Sequence, residues 1–259
     1  MRVFVAIPHY FRSSSSREDS NDGYGSQRSD KRFVRINSFY RCLSNLAALA
    51  RSQQDFVLNI ANKNIEIVQS ANNPASDIEI SINIFSNQHD ILSEVIDENS
   101  FMINNHLARC ESPKQIPLAA VYSLLFDASD TYDYYIYMED DLSINNQLFV
   151  HFVDWFYSST DYQYILMPHR YEATEANAPK RLYVDGPINS DQYFVSSIVN
   201  SEPIVLKGIY KNENIGFVEA SNPHSGMLIL SNSQRKRWQA LGHPRNLLVL
   251  LRLLPLALF

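Results

Sequence analysis

Short apolar blocks alternate with polar stretches along the chain and predict strands and helices in turn. Val3 to Ile7 is an apolar run that ends at Pro8, and it predicts a buried first strand. Residues 12 to 31 are polar and predict a long loop. From Phe33 to Arg51 the apolar positions recur at helical spacing, which predicts an amphipathic helix.

The same patterns predict most of the remaining elements. The further predicted strands are Ile65 to Val68, Ile78 to Phe85, Tyr134 to Met138, Tyr164 to Met167, Arg181 to Val184, Tyr193 to Ile198 and Met227 to Leu230. The further predicted helices are Ile91 to Ile96, Leu118 to Ala128 and Leu148 to Tyr157. Because strands alternate with helices over residues 1–160, the pattern predicts an α/β fold with a parallel sheet.

The sequence shows no internal repeat and no clear linker, so a single domain over residues 1–259 is predicted. It would have two lobes, about 1–158 and about 159–240, the second richer in strands. Residues 243–259 form an anomalous apolar tail, in which eight of the thirteen residues from Leu247 to Phe259 are Leu. Three interpretations of the tail stay open: a buried terminal helix, an interfacial anchor, or the product of an altered reading frame.

Composition narrows the class of protein. Hydrophobic residues make up 45% and charged residues 19%, which is typical of a globular protein. The net charge of -6 disfavours a general nucleic-acid binder, and two cysteines cannot build a disulfide framework. The apolar run at the N-terminus is short and ends at Pro8, so no signal peptide is predicted there. No transmembrane segment is evident either, so a cytoplasmic protein is expected.

Glycine is scarce, and this excludes most glycine-loop chemistry. The chain has 7 glycines, where average usage would give about 18. It has no P-loop, and Gly23 and Gly25 are followed by no third glycine, so the dinucleotide fingerprint fails as well. Phosphate binding would therefore use a metal ion or basic side chains.

Three consecutive acids, Glu139, Asp140 and Asp141, directly follow the predicted strand Tyr134 to Met138. Ligands bind at the carboxyl ends of strands in open α/β sheets, and adjacent carboxylates are easier to keep together if a cation neutralises them. Oxygen ligands suit Mg²⁺ or Mn²⁺. In an extended segment, Glu139 and Asp141 would point to one side and Asp140 to the other. A metal would then be held by Asp141, with Glu139 or Asp140 free to contact a ribose or a water. The plain alternative is that Asp141 or Ser143 caps the following helix.

The acidic segment and the strand before it resemble part of a known protein family. The stretch Asp133 to Ile144 is similar to the metal-binding segment of GT-A-type glycosyltransferases, which carry a D-x-D-like motif, written E-D-D in some families. Met1 to Tyr10 resembles their first strand and the turn that meets the nucleotide, and Arg32 to Leu49 resembles the helix after it. Ser221 to Met227 resembles the late turn and strand that close the pocket. The resemblance covers roughly residues 1 to 238.

The resemblance implies a GT-A-like Rossmann-type sandwich, with a mixed, mostly parallel central sheet flanked by helices. Residues 1–158 would bind a nucleoside-diphosphate-sugar donor with Mn²⁺ or Mg²⁺, and residues 159–240 would face the acceptor. The activity implied is that of a hexosyltransferase-like enzyme acting on a glycan, lipid-linked or other hydroxyl acceptor, with possible contact at the inner membrane face. The alternatives are a catalytically inactive nucleotide- or sugar-binding relative and a nucleotidyltransferase that shares the fold.

The resemblance also implies roles for individual residues. Asp141 would bind the metal directly, and His224 would be a later metal or phosphate contact. Glu139 and Asp140 would contact the ribose or the waters of the metal, and Glu139 is a further candidate ligand. Pro8, His9 and Tyr10 would lie near the base or the diphosphate. Candidates for a general base are, first, Asp185 and Glu219 and, more weakly, Glu172 and Glu175.

The remaining charged residues and cysteines receive plainer interpretations. Arg28, Lys31 and Arg32 could meet the diphosphate. Two basic groups are predicted to be solvated helix faces; they are Arg35, Arg41 and Arg51, and Arg235, Lys236 and Arg237. Cys42 is predicted to be buried on the apolar face of its helix.

Overall fold

The computed structural model describes residues 1–12, 29–50, 55–68, 78–172, 181–184, 205–219, 226–240 and 255–258. The strands in chain order are β1 (Arg2–Pro8), β2 (Asp55–Asn59), β3 (Asn64–Val68), β4 (Glu79–Ser86), β5 (Ile103–Leu107), β6 (Tyr134–Met138), β7 (Ile165–Met167), β8 (Tyr171–Glu172), β9 (Leu182–Tyr183), β10 (Val205–Tyr210), β11 (Glu213–Glu219), β12 (Met227–Ser231) and β13 (Pro255–Leu258). The helices are α1 (Arg32–Leu49), α2 (Ser93–Glu98), α3 (Ile116–Tyr122), α4 (Phe149–Ser159) and α5 (Asn232–Ala240).

A five-stranded sheet in the order β12-β6-β1-β4-β5 lies at the centre of the fold. β6, β1, β4 and β5 run parallel to one another. Only β12 at the edge runs antiparallel, beside β6. The predicted α/β class, with a mixed, mostly parallel sheet flanked by helices, is therefore confirmed.

The alternation of side chains along β1 divides the core into two layers. Val3, Val5 and Ile7 pack on one face of the sheet, against buried residues of α1, α2 and α4. Phe4 and Ala6 point to the other face and pack with α3 and α5. Because β1 is buried on both faces, its sequence is continuously apolar, as is usual for a central parallel strand.

The strand order creates a crevice beside β1. The chain leaves β1 and passes through α1 to β4 on one side, then returns from β5 through α3 to β6 on the other side. The connections after β1 and β6 therefore diverge in opposite directions. Ligands of open α/β sheets bind at such a switch point, outside the carboxyl ends of the strands. Here those ends are followed by His9 and by Glu139.

Three smaller sheets complete the described structure: β10-β11-β13-β7, β2-β3 and β8-β9. The sequence patterns did not predict β2, β5, β8, β10, β11 or β13. The predicted strand Tyr193 to Ile198 lies outside the described residues, as do 13–28 of the predicted loop. No helix among the residues described above is both long and apolar enough to cross a bilayer.

Of the apolar tail, the structure describes residues 255–258, which form β13 between β11 and β7. The interpretation of these residues as part of a terminal helix is therefore wrong. Pro255 explains the difference, because proline has no backbone N–H and cannot continue a helix that reaches it. Residues 243–254 of the tail lie outside the described ranges.

Arg235 is buried and ties α5 to the segment that follows α3, where Ser123–Asp127 forms a π-helical turn. Its guanidinium donates to the carbonyls of Leu124 at 2.8 Å and Ala128 at 2.6 Å and pairs with Asp130 at 2.5 Å. The prediction of a solvated face is therefore wrong for Arg235, which shares the buried side of α5 with Trp238, three residues later.

Candidate functional site

The acidic segment lies at the switch point, and its middle residue points into the protein. The side chain of Asp140 is only 7% exposed. Its Oδ2 lies 2.6 Å from Nδ1 of His9, which directly follows β1. Its Oδ1 accepts a hydrogen bond of 2.5 Å from Nη2 of Arg35 on α1. Three elements thus meet at one buried carboxylate.

The partners of His9 determine which of its ring nitrogens carries the proton. Nε2 accepts a hydrogen bond of 3.0 Å from the backbone N–H of Leu92, so that nitrogen carries no proton. Nδ1 therefore carries the proton and donates to Asp140. The imidazole also stacks on Phe39, with ring centroids 4.4 Å apart. His9 is thus fixed on all sides and holds Asp140 in place.

Arg35 bridges two carboxylates of the acidic segment. Besides Asp140, it donates from Nη1 to Oδ2 of Asp141 at 3.0 Å. Its side chain is 12% exposed, so the predicted solvated position is wrong. The reason is helical periodicity, because Arg35 precedes the buried Phe39 and Cys42 by four and seven residues and shares their side of α1. Arg41, on the opposite side, is exposed as predicted.

The charges in the site shift its pKa values in different directions. Burial alone would raise the pKa of Asp140, but the hydrogen bond from His9 and the charge of Arg35 outweigh it, and the pKa is lowered. Burial and the neighbouring Asp140 raise the pKa of Asp141, although Arg35 opposes them. Burial would lower the pKa of Arg35, but the two carboxylates raise it. Asp140 and Arg35 therefore form an ion pair at neutral pH.

Glu139 lies against a glycine that leaves room for its carboxylate. Its backbone N–H donates to the carbonyl of Gly226 at 2.9 Å. A Cβ on Gly226 would lie only 2.4 Å from Oε2 of Glu139. The same oxygen lies 3.7 Å from Nη1 of Arg170. Gly226 and Arg170 together determine where this carboxylate can be.

The outer two acids of the segment are more exposed than Asp140. The side chains of Glu139 and Asp141 are 43% and 39% exposed. Mg²⁺ commonly takes only one or two carboxylates from a protein and completes its shell with phosphates and water. Within the described ranges, no group of three or more His, Cys, Asp and Glu side chains is placed to hold a metal ion. A metal here would therefore depend on oxygens from a bound phosphate.

The alternative role of the acidic segment as a helix cap does not fit the structure. α4 begins at Phe149, its N-cap residue is Leu148, and no side chain caps it. Neither Asp141 nor Ser143 is at that position. The hydroxyl of Ser143 is instead hydrogen-bonded to Asn45 of α1. The need for a cap therefore does not explain the three acids.

Some of the other predicted residues lie at the switch point, and others have partners elsewhere. His9 and Asp140 were expected to contact a nucleotide, yet they face each other inside the protein, and that expectation stays untested. Pro8 ends β1 and Tyr10 follows it in the same turn. Arg32, a candidate for the diphosphate, instead forms an ion pair with Glu94, in which its Nη2 donates to both carboxylate oxygens.

Several candidates lie where the structure gives no side-chain description. Asp185, His224, Glu175 and Arg28 lie outside the described residues. Glu219 ends β11, and only its backbone is described. Glu172, the weaker candidate base, is exposed on the two-residue strand β8. Their predicted roles as bases and ligands stay predictions.

The architecture is thus an α/β/α sandwich with an acidic site at its switch point, and comparisons with known proteins add little to this. Neither a protein-family model nor a curated protein matches the sequence. Among solved structures, TarS 1-349 from S. aureus aligns with a TM-score of 0.41 and 13% identity, over 92% of this chain and 49% of that one. The chain thus spans about half of that protein.

CMP:2-keto-3-deoxy-manno-octonic acid synthetase complexed with CTP aligns with a TM-score of 0.40 and 10% identity, over 97% of this chain and 84% of that one. Neither alignment is close enough to assign a family. The fold class given above rests on the sheet topology of the chain itself.

Proposed function

We propose that this protein is a metal-dependent glycosyltransferase that uses a nucleoside-diphosphate-sugar donor. One observation carries the proposal: three carboxylates lie at the switch point, the middle one locked inside by His9 and Arg35 and the outer two partly exposed. Asp141 lies beside Arg35 and Glu139 beside Arg170, and both carboxylates stay accessible to solvent and ligands. An anionic donor that arrives with a divalent cation would use them both.

The exposed residues of the site would bind the metal, and the buried residues would position them. Asp141 and Glu139 would hold Mn²⁺ or Mg²⁺, which when bound neutralises charge on the leaving diphosphate. Asp140 and His9 would keep the segment in position from below, since both are buried. A base must also take the proton of the acceptor hydroxyl if the anomeric configuration is inverted. We assign the role of this base to Asp185 or Glu219. The acceptor would be a glycan or a lipid-linked glycan precursor.

The first test is calorimetric titration of UDP and of GDP, each with and without Mn²⁺, against the wild type and Asp141→Asn. One nucleotide should bind only with Mn²⁺, and Asp141→Asn should weaken it by about tenfold to a hundredfold, as is usual for the loss of a ligand or its close support. Asp97→Asn is the matched control, because it removes one exposed carboxylate from α2 and should leave binding unchanged.

Each other outcome has a definite meaning. If folded wild-type protein binds neither nucleotide, the proposal is wrong. If a nucleotide binds equally well without Mn²⁺, the metal dependence is wrong. If binding follows the proposal but no nucleotide sugar is turned over with any hydroxyl acceptor, the chain is the inactive binding relative.

A further inference from the structure

Arg35 occupies the position in which a cation would be expected. Its guanidinium lies between Asp140 and Asp141 and donates to both carboxylates. We propose that Arg35 is the internal counter-ion of the site: it holds Asp141 in the ligand-free protein and exchanges it for a phosphate oxygen of the donor. This inference rests on the proposed function of the same site.

The two contacts of Arg35 differ in a way that allows such an exchange. The bond to Asp140 is short, at 2.5 Å, and Asp140 is buried and also held by His9. The bond to Asp141 is longer, at 3.0 Å, and ends on a carboxylate that is 39% exposed. The contact to Asp141 is therefore the one that solvent and ligands can reach. Arg35 can release it and remain fixed through Asp140.

One donor of Arg35 is unused. Its Nε is buried and has no hydrogen-bond partner among the described residues. A buried N–H without a partner is costly, and few are found in native proteins. Arginine binds phosphate best through two parallel N–H groups. Arg35 is therefore incompletely paired in this state, and a phosphate oxygen would replace Asp141 at Nη1, the donor that the exchange frees.

The exchange also predicts competition. A divalent cation and Arg35 would use the same oxygens of Asp141, and two positive groups beside one carboxylate repel each other. Arg35 should therefore weaken the binding of a metal ion alone and strengthen the binding of a nucleotide together with its metal. A residue that only supported the fold would change both affinities in the same direction.

The experiment measures Mn²⁺ binding without nucleotide by electron paramagnetic resonance, and nucleotide binding at saturating Mn²⁺ by calorimetry. Arg35→Met should bind Mn²⁺ alone about tenfold more tightly, because one adjacent positive charge shifts proton binding by a carboxylate by about one pKa unit or more and should oppose a metal cation likewise. It should bind the nucleotide about tenfold more weakly, as for the loss of one charge-assisted bond. Arg41→Met, on the exposed side of the same helix, is the control for net charge and should match the wild type in both.

Arg35→Lys keeps the positive charge but cannot make two parallel bonds. It should bind Mn²⁺ as weakly as the wild type and bind the nucleotide about tenfold more weakly. This variant decides the matter if Arg35→Met does not fold, and an unchanged nucleotide affinity would then overturn the inference. Weaker Mn²⁺ binding by a folded Arg35→Met, or no change in either affinity, would overturn it as well while leaving the proposed function standing. A wild type that binds no nucleotide would overturn both.

Discussion

Replacing three glycines with alanine, one at a time, should distinguish a residue that positions the candidate site from residues that affect only the stability of the fold. At Gly226 a new Cβ would lie 2.4 Å from Oε2 and 2.7 Å from Cδ of Glu139. At Gly208 it would lie 2.9 Å and 3.1 Å from two ring carbons of Trp155. At Gly216 nothing lies within 4 Å. The three substitutions are chemically the same, and only their neighbours differ.

The neighbours determine what each substitution costs. The Glu139 carboxylate is the end of a flexible, 43% exposed side chain, so it can move aside, and Gly226→Ala should cost less than about 1 kcal/mol of folding free energy. Trp155 is rigid and packs against Phe152 and Phe217, so Gly208→Ala should cost about 1–3 kcal/mol. Gly216→Ala should be neutral or stabilising by about 0.5–1 kcal/mol, because it limits the unfolded chain.

Ligand binding should be affected only by the substitution at Gly226. Displacing Glu139 should weaken binding of the Mn²⁺–nucleotide pair by about tenfold in Gly226→Ala, and Gly208→Ala and Gly216→Ala should bind as the wild type does. Urea denaturation gives the stabilities, and calorimetric titration gives the affinities. A Gly226→Ala variant that is less stable than Gly208→Ala, or that binds normally, would refute the assignment of Gly226 as the residue that positions Glu139.

Two further predictions concern buried charges. Arg235→Met should lower the free energy of unfolding by about 1–3 kcal/mol, because it leaves the carbonyls of Leu124 and Ala128 without their donor. Exposed Arg237→Met should change it by less than about 0.5 kcal/mol, and equal losses in urea denaturation would contradict this. Because the folded-state pKa of Asp140 lies below its ordinary 3.8, the ionised carboxylate stabilises the fold above that pH, and this contribution is lost as the pH falls through the folded-state pKa. Asp140→Asn should therefore be less stable than the wild type at pH 7, with a gap that narrows in acid, and a gap of constant size would show that ionisation of Asp140 is not the cause.

Apolar periodicity identified the elements that form the core and missed those that do not. β1, β4 and β6 carry continuous or alternating apolar residues and were predicted within about two residues. β5 has one buried residue, Ile103, followed by four exposed ones, so it has no pattern to detect. β10 and β11 meet at a two-residue turn, Lys211 and Asn212, both with positive φ. That turn usually contains Asn-Gly, and its absence hid the hairpin.

The acidic segment could be found from sequence, but its partners could be found only in part. Because the run of acids directly follows a clearly apolar strand, the sequence alone places Glu139, Asp140 and Asp141 at the carboxyl end of that strand. Arg35 could have been found, because helical spacing places it beside Phe39 and Cys42. The contact between Gly226 and Glu139 could not, because a missing side chain leaves no pattern. The bond from His9 to Asp140 depends on which strands become neighbours, and local sequence does not encode that.

The site joins parts of the chain that are far apart, and this has a consequence for how the protein folds. The residues in contact are separated by 131 positions for His9 and Asp140, by 105 for Arg35 and Asp140, and by 83 for His9 and Leu92. Such distant contacts form slowly, since a long loop must close before any of them is gained. The site exists only in molecules in which β1, α1 and the segment after β6 have come together, so ligand binding reports on that part of the fold. A ligand added during refolding would stabilise that state alone, and the yield of binding-competent protein should rise with its concentration.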